Sequence, residues 1–410
     1  MSKPMLTFED FIKRILKVVF WAVLLAPFII FPIYYILDAI FHFPSDLLAM
    51  ALVKPFDFLN FQLGLISTEP FKTLFALTVF PGFSFVAIYG TILMGWVERK
   101  FTAKIQLRTG PMYAGKVEGI LQNIADFFKL LFKEMIIPNG VDRATFVAIP
   151  FALMAVAGAL IALVPLSPTT YIANPVVGAI LVFAILGFSP LIVLLAGWAS
   201  NSKYPFLGGL RALHQMVAYE IPLVLSLVGA VLLSGALNLA PLVPSSYVWI
   251  HHFHIFVPAG PSIVTAQSKI WFVFLQPLGA IVFFIGALAE LERIPFDLPE
   301  ADSELVAGWQ TEYTSMLFGT FQLANFSRMY VLAGLFTTFF LGGWLGPAPV
   351  PPEVWFILKT TAVMLVMMLP RSVLPRVRID LLLRAGWVKL LVLAFANIFL
   401  TMIIISLGVV

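Results

Sequence analysis

The chain has 410 residues, of which 61% are hydrophobic and 11% charged, with a formal net charge of +4. That is too little charge to cover a soluble protein of this length, so lipid must solvate most of its surface. The basic residues sit between apolar runs and form no single patch, which argues against nucleic acid. Cysteine is absent, which excludes disulfides, thiolate catalysis and cysteine-ligated iron–sulfur clusters in this chain.

Nine apolar segments approach the roughly 20 residues that a crossing helix needs. They are 18–37, 73–96, 145–165, 177–199, 217–238, 270–290, 329–346, 355–370 and 388–409. No signal-peptidase pattern follows the first run, so it reads as a retained helix. Pro27 and Pro32 interrupt it, and a hairpin or surface helix there stays open.

The basic residues order these segments across the bilayer. Lys3, Lys13, Arg14 and Lys17 precede the first segment. A second group, from Arg99 to Arg143, lies between the second and third. Lys203 and Arg211, then Arg293 and Arg328, then Arg371, Arg376, Arg378 and Arg384 fall on the same side if there are nine crossings. The positive-inside rule then predicts a cytoplasmic N-terminus and an external C-terminus in the cell membrane.

One segment is expected to lie along the membrane. Between Lys116 and Met135, apolar residues such as Val117, Ile120, Ile124, Phe127, Phe128 and Leu131 recur with a helical period, opposite Glu118, Gln122, Asp126 and Lys129. That pattern predicts an amphipathic interfacial helix over 116–135, ended by Pro138 and Gly140.

A carboxylate in an apolar segment costs a few kcal/mol and normally faces protein interior or water. Glu220, near the start of the fifth segment, and Glu290, at the end of the sixth, are such cases. Both are candidates for proton relay, against a snorkelling Glu220 and an i,i+3 pair of Glu290 with Arg293. The stretch from Glu290 to Glu312 holds seven acids against Arg293, interleaved with Leu298, Leu305, Trp309 and Tyr313. It predicts a packed cytoplasmic lobe, with Glu300, Glu304 and Glu312 on one face if helical. The basic turn around Arg108, Gly110 and Pro111 is its expected counterpart. His251, His252 and His254 lack an accompanying acid or cysteine, and an exposed external loop is expected there in place of a metal site.

Three blocks of the sequence are distinctive. The first runs from Glu98-Arg99-Lys100 through Leu107-Arg108-Thr109-Gly110-Pro111 to Gly119–Asp126 and Lys133-Glu134. The second is Gln215-Met216-Val217-Ala218-Tyr219-Glu220. The third is Glu292-Arg293-Ile294-Pro295-Phe296-Asp297-Leu298-Pro299-Glu300-Ala301-Asp302-Ser303-Glu304-Leu305, followed by Thr311-Glu312-Tyr313. Together these blocks resemble the H-type membrane subunit of proton-pumping NADH:quinone oxidoreductase, respiratory complex I, and its archaeal and hydrogenase relatives, and a weaker match covers Arg376 to Trp387. Asp302 stands where the family usually has glutamate.

The resemblance implies an all-α integral membrane protein of about nine transmembrane helices: the family's eight plus one in an N-terminal extension, residues 1–72. Residues 73–410 would form the family domain, with an acidic cytoplasmic loop over 291–328. It implies a membrane subunit that forms the membrane side of a quinone chamber and couples quinone reduction to proton translocation. Glu220, Glu290, Glu292, Glu304 and Glu312 would carry relay and coupling, and Arg108, Phe296 and Asp297 would shape the chamber. No metal or cofactor would bind this chain; quinone would be substrate, and iron–sulfur clusters and any flavin would sit in partners. Those partners would be peripheral subunits with the terminal cluster and the roof of the quinone site, small membrane subunits, antiporter-like pumping subunits and lipids. A hydrogenase branch, or a donor such as reduced coenzyme F420 or ferredoxin, stays open. A stand-alone transporter would need an internal repeat, and none is visible.

Overall fold

The computed structural model describes residues 89–115, 118–168, 171–241, 246–250, 253–257, 262–347, 350 and 352–407. The extension 1–72 with its crossing at 18–37, most of the crossing at 73–96, and His251 and His252 lie outside the described residues.

The described chain is built of helices, with one short hairpin. A π-helical turn, Tyr89–Met94, leads into α1 (Gly95–Ile105), and α2 (Gln122–Phe132) follows. Next come α3 (Arg143–Leu163), α4 (Gly178–Leu186), α5 (Phe188–Ala199) and α6 (Lys203–Ser234). Strands β1 (Ser246–Ile250) and β2 (Phe253–Val257) pair antiparallel, with Ile250 opposite Phe253. Where a loop is expected around the histidines, residues 246–250 and 253–257 are strands. Short helices α7 (Ile263–Ala266) and α8 (Phe272–Leu275) precede α9 (Pro277–Glu290) and α10 (Asp302–Leu305). After a 3-10 turn, Gly308–Gln310, come α11 (Ser315–Phe340), α12 (Pro352–Val373), α13 (Ile379–Arg384) and, across a second π turn, α14 (Leu391–Ser406).

Among the described residues five helical stretches are long and apolar enough to cross a membrane: 143–163, 178–199, 203–234, 352–373 and 379–406. The boundaries differ from expectation for identifiable reasons. Helix α6 begins at Lys203 and not near 217, because Lys203 and Arg211 extend it into a region where water and ion pairs satisfy charge. Helix α9 starts late, at Pro277. Proline there has no N–H to donate, and the preceding Gln276 leaves helical geometry at φ −130°, ψ 58°. Helix α11 starts at Ser315, so the last part of the expected loop 291–328 is helical. The amphipathic helix is shorter than 116–135: α2 covers 122–132, after turns at 118–121. Phe128, Leu131 and Phe132 are exposed on it.

Helix α11 is the central post, with 19 of its 26 residues buried. A helix covered on all sides belongs in the interior of a bundle. Its threonines satisfy their hydroxyls on the carbonyl four residues back, as Thr320, Thr337 and Thr338 do at 2.8–2.9 Å. One core joins α3, α5, α6, the 3-10 turn and α11: Phe146, Leu153, Val193, Met216, Trp309 and Phe321 are all buried in it. The rings of Phe146 and Tyr313 stack there with centroids 4.1 Å apart. Close approach depends on glycine. A Cβ on Gly208 of α6 would lie 2.6 Å from the Trp309 amide nitrogen, so only a residue without a side chain lets the 3-10 turn seat against the helix.

Candidate functional site

Two polar systems meet around the loop that follows α9. The first is a cavity of about 600 Å³ between α1, α2, α11 and the end of α12. One wall is apolar, from Phe127, Leu130, Phe318, Leu323 and Phe326. The other is charged, from Glu98, Arg99, Arg108, Asp126 and Arg371. Glu98 is 3% exposed, and its Oε1 accepts from Arg293 and from Arg371. Burial alone would raise this carboxyl, but the two guanidiniums outweigh it and hold Glu98 below the usual carboxylate range. Arg293 also lies over the Phe326 ring, 5.3 Å from its centroid. At the rim, Arg99 meets Asp126 at 2.5 Å and Arg108 donates to Gln106 Oε1 at 2.9 Å.

The second system is a chain of acids, of which Glu290 and Glu292 are buried. Glu290 ends α9 and is 2% exposed; Arg328 of α11 donates to its Oε1 at 2.8 Å and to its backbone carbonyl at 2.7 Å. Glu292, two residues on, takes a hydrogen bond from Trp309 Nε1 to Oε2 at 3.2 Å. Glu300 accepts from Gln310 Nε2. Glu220 of α6 sits against the joint between α4 and α5, where a Cβ on Gly187 would lie 3.0 Å from its Oε1. The charges couple in sequence: Glu220 acts on Glu290, Glu290 on Glu292, and Glu300 on Glu292. Burial pushes the Glu292 carboxyl well above the usual carboxylate range, Glu300 adds to that, and Arg328 opposes it.

The loop between these systems is pinned from α6. Gln215 Nε2 donates to the carbonyls of Ala289 and Phe296, at 2.9 and 2.7 Å. The Tyr219 ring packs on Phe296 with centroids 5.1 Å apart. Glu292 itself holds a φ of +51°, a conformation uncommon for a non-glycine residue. As a result Glu292 turns toward the acid chain, while its neighbour Arg293 turns toward Glu98 and the cavity.

The structure thus gathers Glu220, Glu290 and Glu292, but not Glu304 or Glu312. Glu304 is exposed and pairs with Arg211 of α6, and Glu312 is half-buried beyond the 3-10 turn. The common face expected for Glu300, Glu304 and Glu312 does not form. Helix there is confined to Asp302–Leu305, because Val306 (φ +66°) and Gly308 (φ +59°) break it. Of the three chamber candidates, Arg108 lines the cavity. Phe296 is buried against Tyr219, and Asp297 pairs with Arg376 at 2.9 Å.

Several partners differ from expectation. Glu290 pairs with Arg328 and not with Arg293, because the helix ends at Glu290 and the i,i+3 relation ends with it. In the acidic stretch Glu304 pairs with Arg211, Glu290 with Arg328 and Asp297 with Arg376, while Arg108 of the basic turn donates to Gln106. Glu98, Arg328, Arg371 and Trp309 were not legible as site residues. Arg328 offered the best signal, as a charge entering an apolar run. No cluster of three or more His, Cys, Asp or Glu side chains suited to a metal occurs among the described residues.

The family described as NADH dehydrogenase matches residues 77–402. The H-type subunit of the NADH-quinone oxidoreductase of Bacillus cytotoxicus is 42% identical over 322 residues, covering 78% of this chain and 90% of that protein. The same subunit of Bacillus cereus is 42% identical over 323 residues, and that of Bacillus thuringiensis 41% over 323, each with the same coverage. The chain belongs to the family of H-type membrane subunits of NADH-quinone oxidoreductase.

Proposed function

We propose that this chain is the membrane subunit of a complex I-like oxidoreductase that holds the membrane side of a quinone chamber and couples quinone reduction to proton translocation. The observation that carries the reading is the pair Glu292–Arg293: adjacent residues serve the acid chain and the charged wall of the cavity. A change of charge in the cavity acts first on the Glu98–Arg293–Arg371 cluster. Arg293 is joined to Glu292 by a single peptide unit, and Glu292 is coupled to Glu290 and through it to Glu220.

The cavity suits a substrate with an apolar tail and a polar head. Its volume lies within the roughly 300–1,000 Å³ of ligand sites, and one wall is aromatic and the other charged. Arg108 stands at its rim, with Phe296 and Asp297 shaping the loop behind the charged wall. In this reading Glu304 and Glu312 belong to the surface on which peripheral subunits dock. The iron–sulfur clusters and any flavin reside in those subunits, and small membrane and antiporter-like pumping subunits complete the complex. The chain crosses the cell membrane about nine times, N-terminus cytoplasmic and C-terminus external, with residues 1–72 as an extension to a family domain at 73–410.

Glu220→Gln tests the relay. In the intact complex in proteoliposomes it is expected to lower proton translocation per quinone reduced while leaving the complex assembled. Unchanged pumping and unchanged quinone turnover would remove Glu220 from the path. The donor-binding subunit that co-purifies names the electron donor, and hydrogen evolution without quinone reduction assigns the complex to the hydrogenase branch.

A further inference from the structure

Trp309 is fully buried, yet it carries a polar edge. Its backbone is held by the 3-10 turn Gly308–Gln310, which seats against Gly208 of α6. Its ring meets Phe321 edge to face, centroids 4.8 Å apart at 87°. Phe321 is itself held by Tyr313, at 4.8 Å and 90°. The indole therefore has little freedom to turn, and its Nε1 reaches Glu292 Oε2 at 3.2 Å. The other oxygen, Oε1, is buried and has no hydrogen-bond partner among the described residues.

An indole N–H donates and cannot accept, and it does not titrate in water. It therefore favours the ionised carboxylate and takes no part in proton exchange itself. We propose that Trp309 is a positioning residue for the acid chain: it holds Oε2 of Glu292 and leaves Oε1 as the atom that takes up and releases the proton. The proposal rests on the relay role given above to Glu292. The charged groups acting on Glu292 are Glu300 from its own loop, Glu290 from the end of α9, and Arg328 from α11. Trp309 is the neutral donor among them, so its loss changes the carboxyl without changing the local charge.

The test uses the intact complex in proteoliposomes, with quinone reduction and proton translocation followed against pH. Trp309→Phe keeps a buried ring and removes the N–H. It is expected to move the limb of the profile set by Glu292 upward by about one pH unit, because a donor to the charged form has been lost. Phe321→Leu disturbs the same packing and keeps the N–H, and its limb is expected to stay in place. Equal loss of rate at every pH in Trp309→Phe, with no shift, would overturn the proposal and leave Trp309 a packing residue. Glu292→Gln is measured alongside: unchanged coupling there sinks the relay reading, independently of Trp309. If Trp309→Phe does not assemble, infrared difference spectra of the unmodified complex against Glu292→Gln decide. Recorded at alkaline pH, where residue 292 is ionised, a carboxylate bonded through one oxygen gives a widened splitting between its antisymmetric and symmetric stretches, and the splitting of a carboxylate bonded equally at both oxygens overturns the assignment.

Discussion

The guanidinium of Arg328 meets Glu290 twice, at its side-chain Oε1 and at its backbone carbonyl, so one arginine closes both the carboxylate and the end of α9. Both side chains are almost fully buried, 1% and 3% exposed. In such a place the Coulombic gain does little more than offset desolvation, but removing one partner strands the other.

Arg328→Met is therefore expected to destabilise the subunit by about 3–5 kcal/mol. The double variant with Glu290→Gln removes both charges and is expected to recover a large part of that. By contrast Arg211→Ala, which breaks an exposed pair with Glu304, is expected to cost under about 1 kcal/mol. Thermal unfolding of the detergent-solubilised complex ranks the three. Equal losses for single and double variants would mean that the stranded charge is not the cause.

The Glu98 cluster predicts a response to acid. Its carboxyl is held below the usual range in the folded protein. Its stabilisation is therefore fully present above the unfolded value and is lost as pH falls through the lowered folded value. The stability advantage of the wild type over Glu98→Gln is expected to shrink as pH drops through and below the ordinary carboxylate range. Midpoints measured for both proteins across that range check this; parallel curves would exclude Glu98 as the titrating group.

Filling the cavity separates its role from that of the acid chain. Leu323 lies on the apolar wall, and Leu323→Trp adds a ring where an isoprenoid tail would lie. The variant is expected to raise KM for a long-tailed quinone by about tenfold, equivalent to ~1.4 kcal/mol, with kcat and proton stoichiometry kept. Steady-state kinetics with long- and short-tailed quinones read this out. An unchanged KM for both would place the quinone elsewhere.

Membrane character, five of the apolar helices long enough to cross and the family were legible in the sequence. Long apolar runs and one-sided basic loops follow from the cost of charge and open backbone in hydrocarbon, which acts on every residue locally. Glu220 and Glu290 could be singled out for the same reason, as acids in apolar runs. The partners of these acids could not. Arg328 is 38 residues from Glu290, and Arg371 is 273 from Glu98. No local period relates such positions, and only the docking of α11 against the end of α9, and of α12 against α1, brings them together. The same holds for Trp309, which reads as core in the sequence and becomes a hydrogen-bond donor because Gly208 lets its turn close on α6. The sequence by itself determined which side chains must leave lipid, because desolvation is a property of each residue. The tertiary structure decided which charge answers which, because direction and distance between helices exist only once they pack.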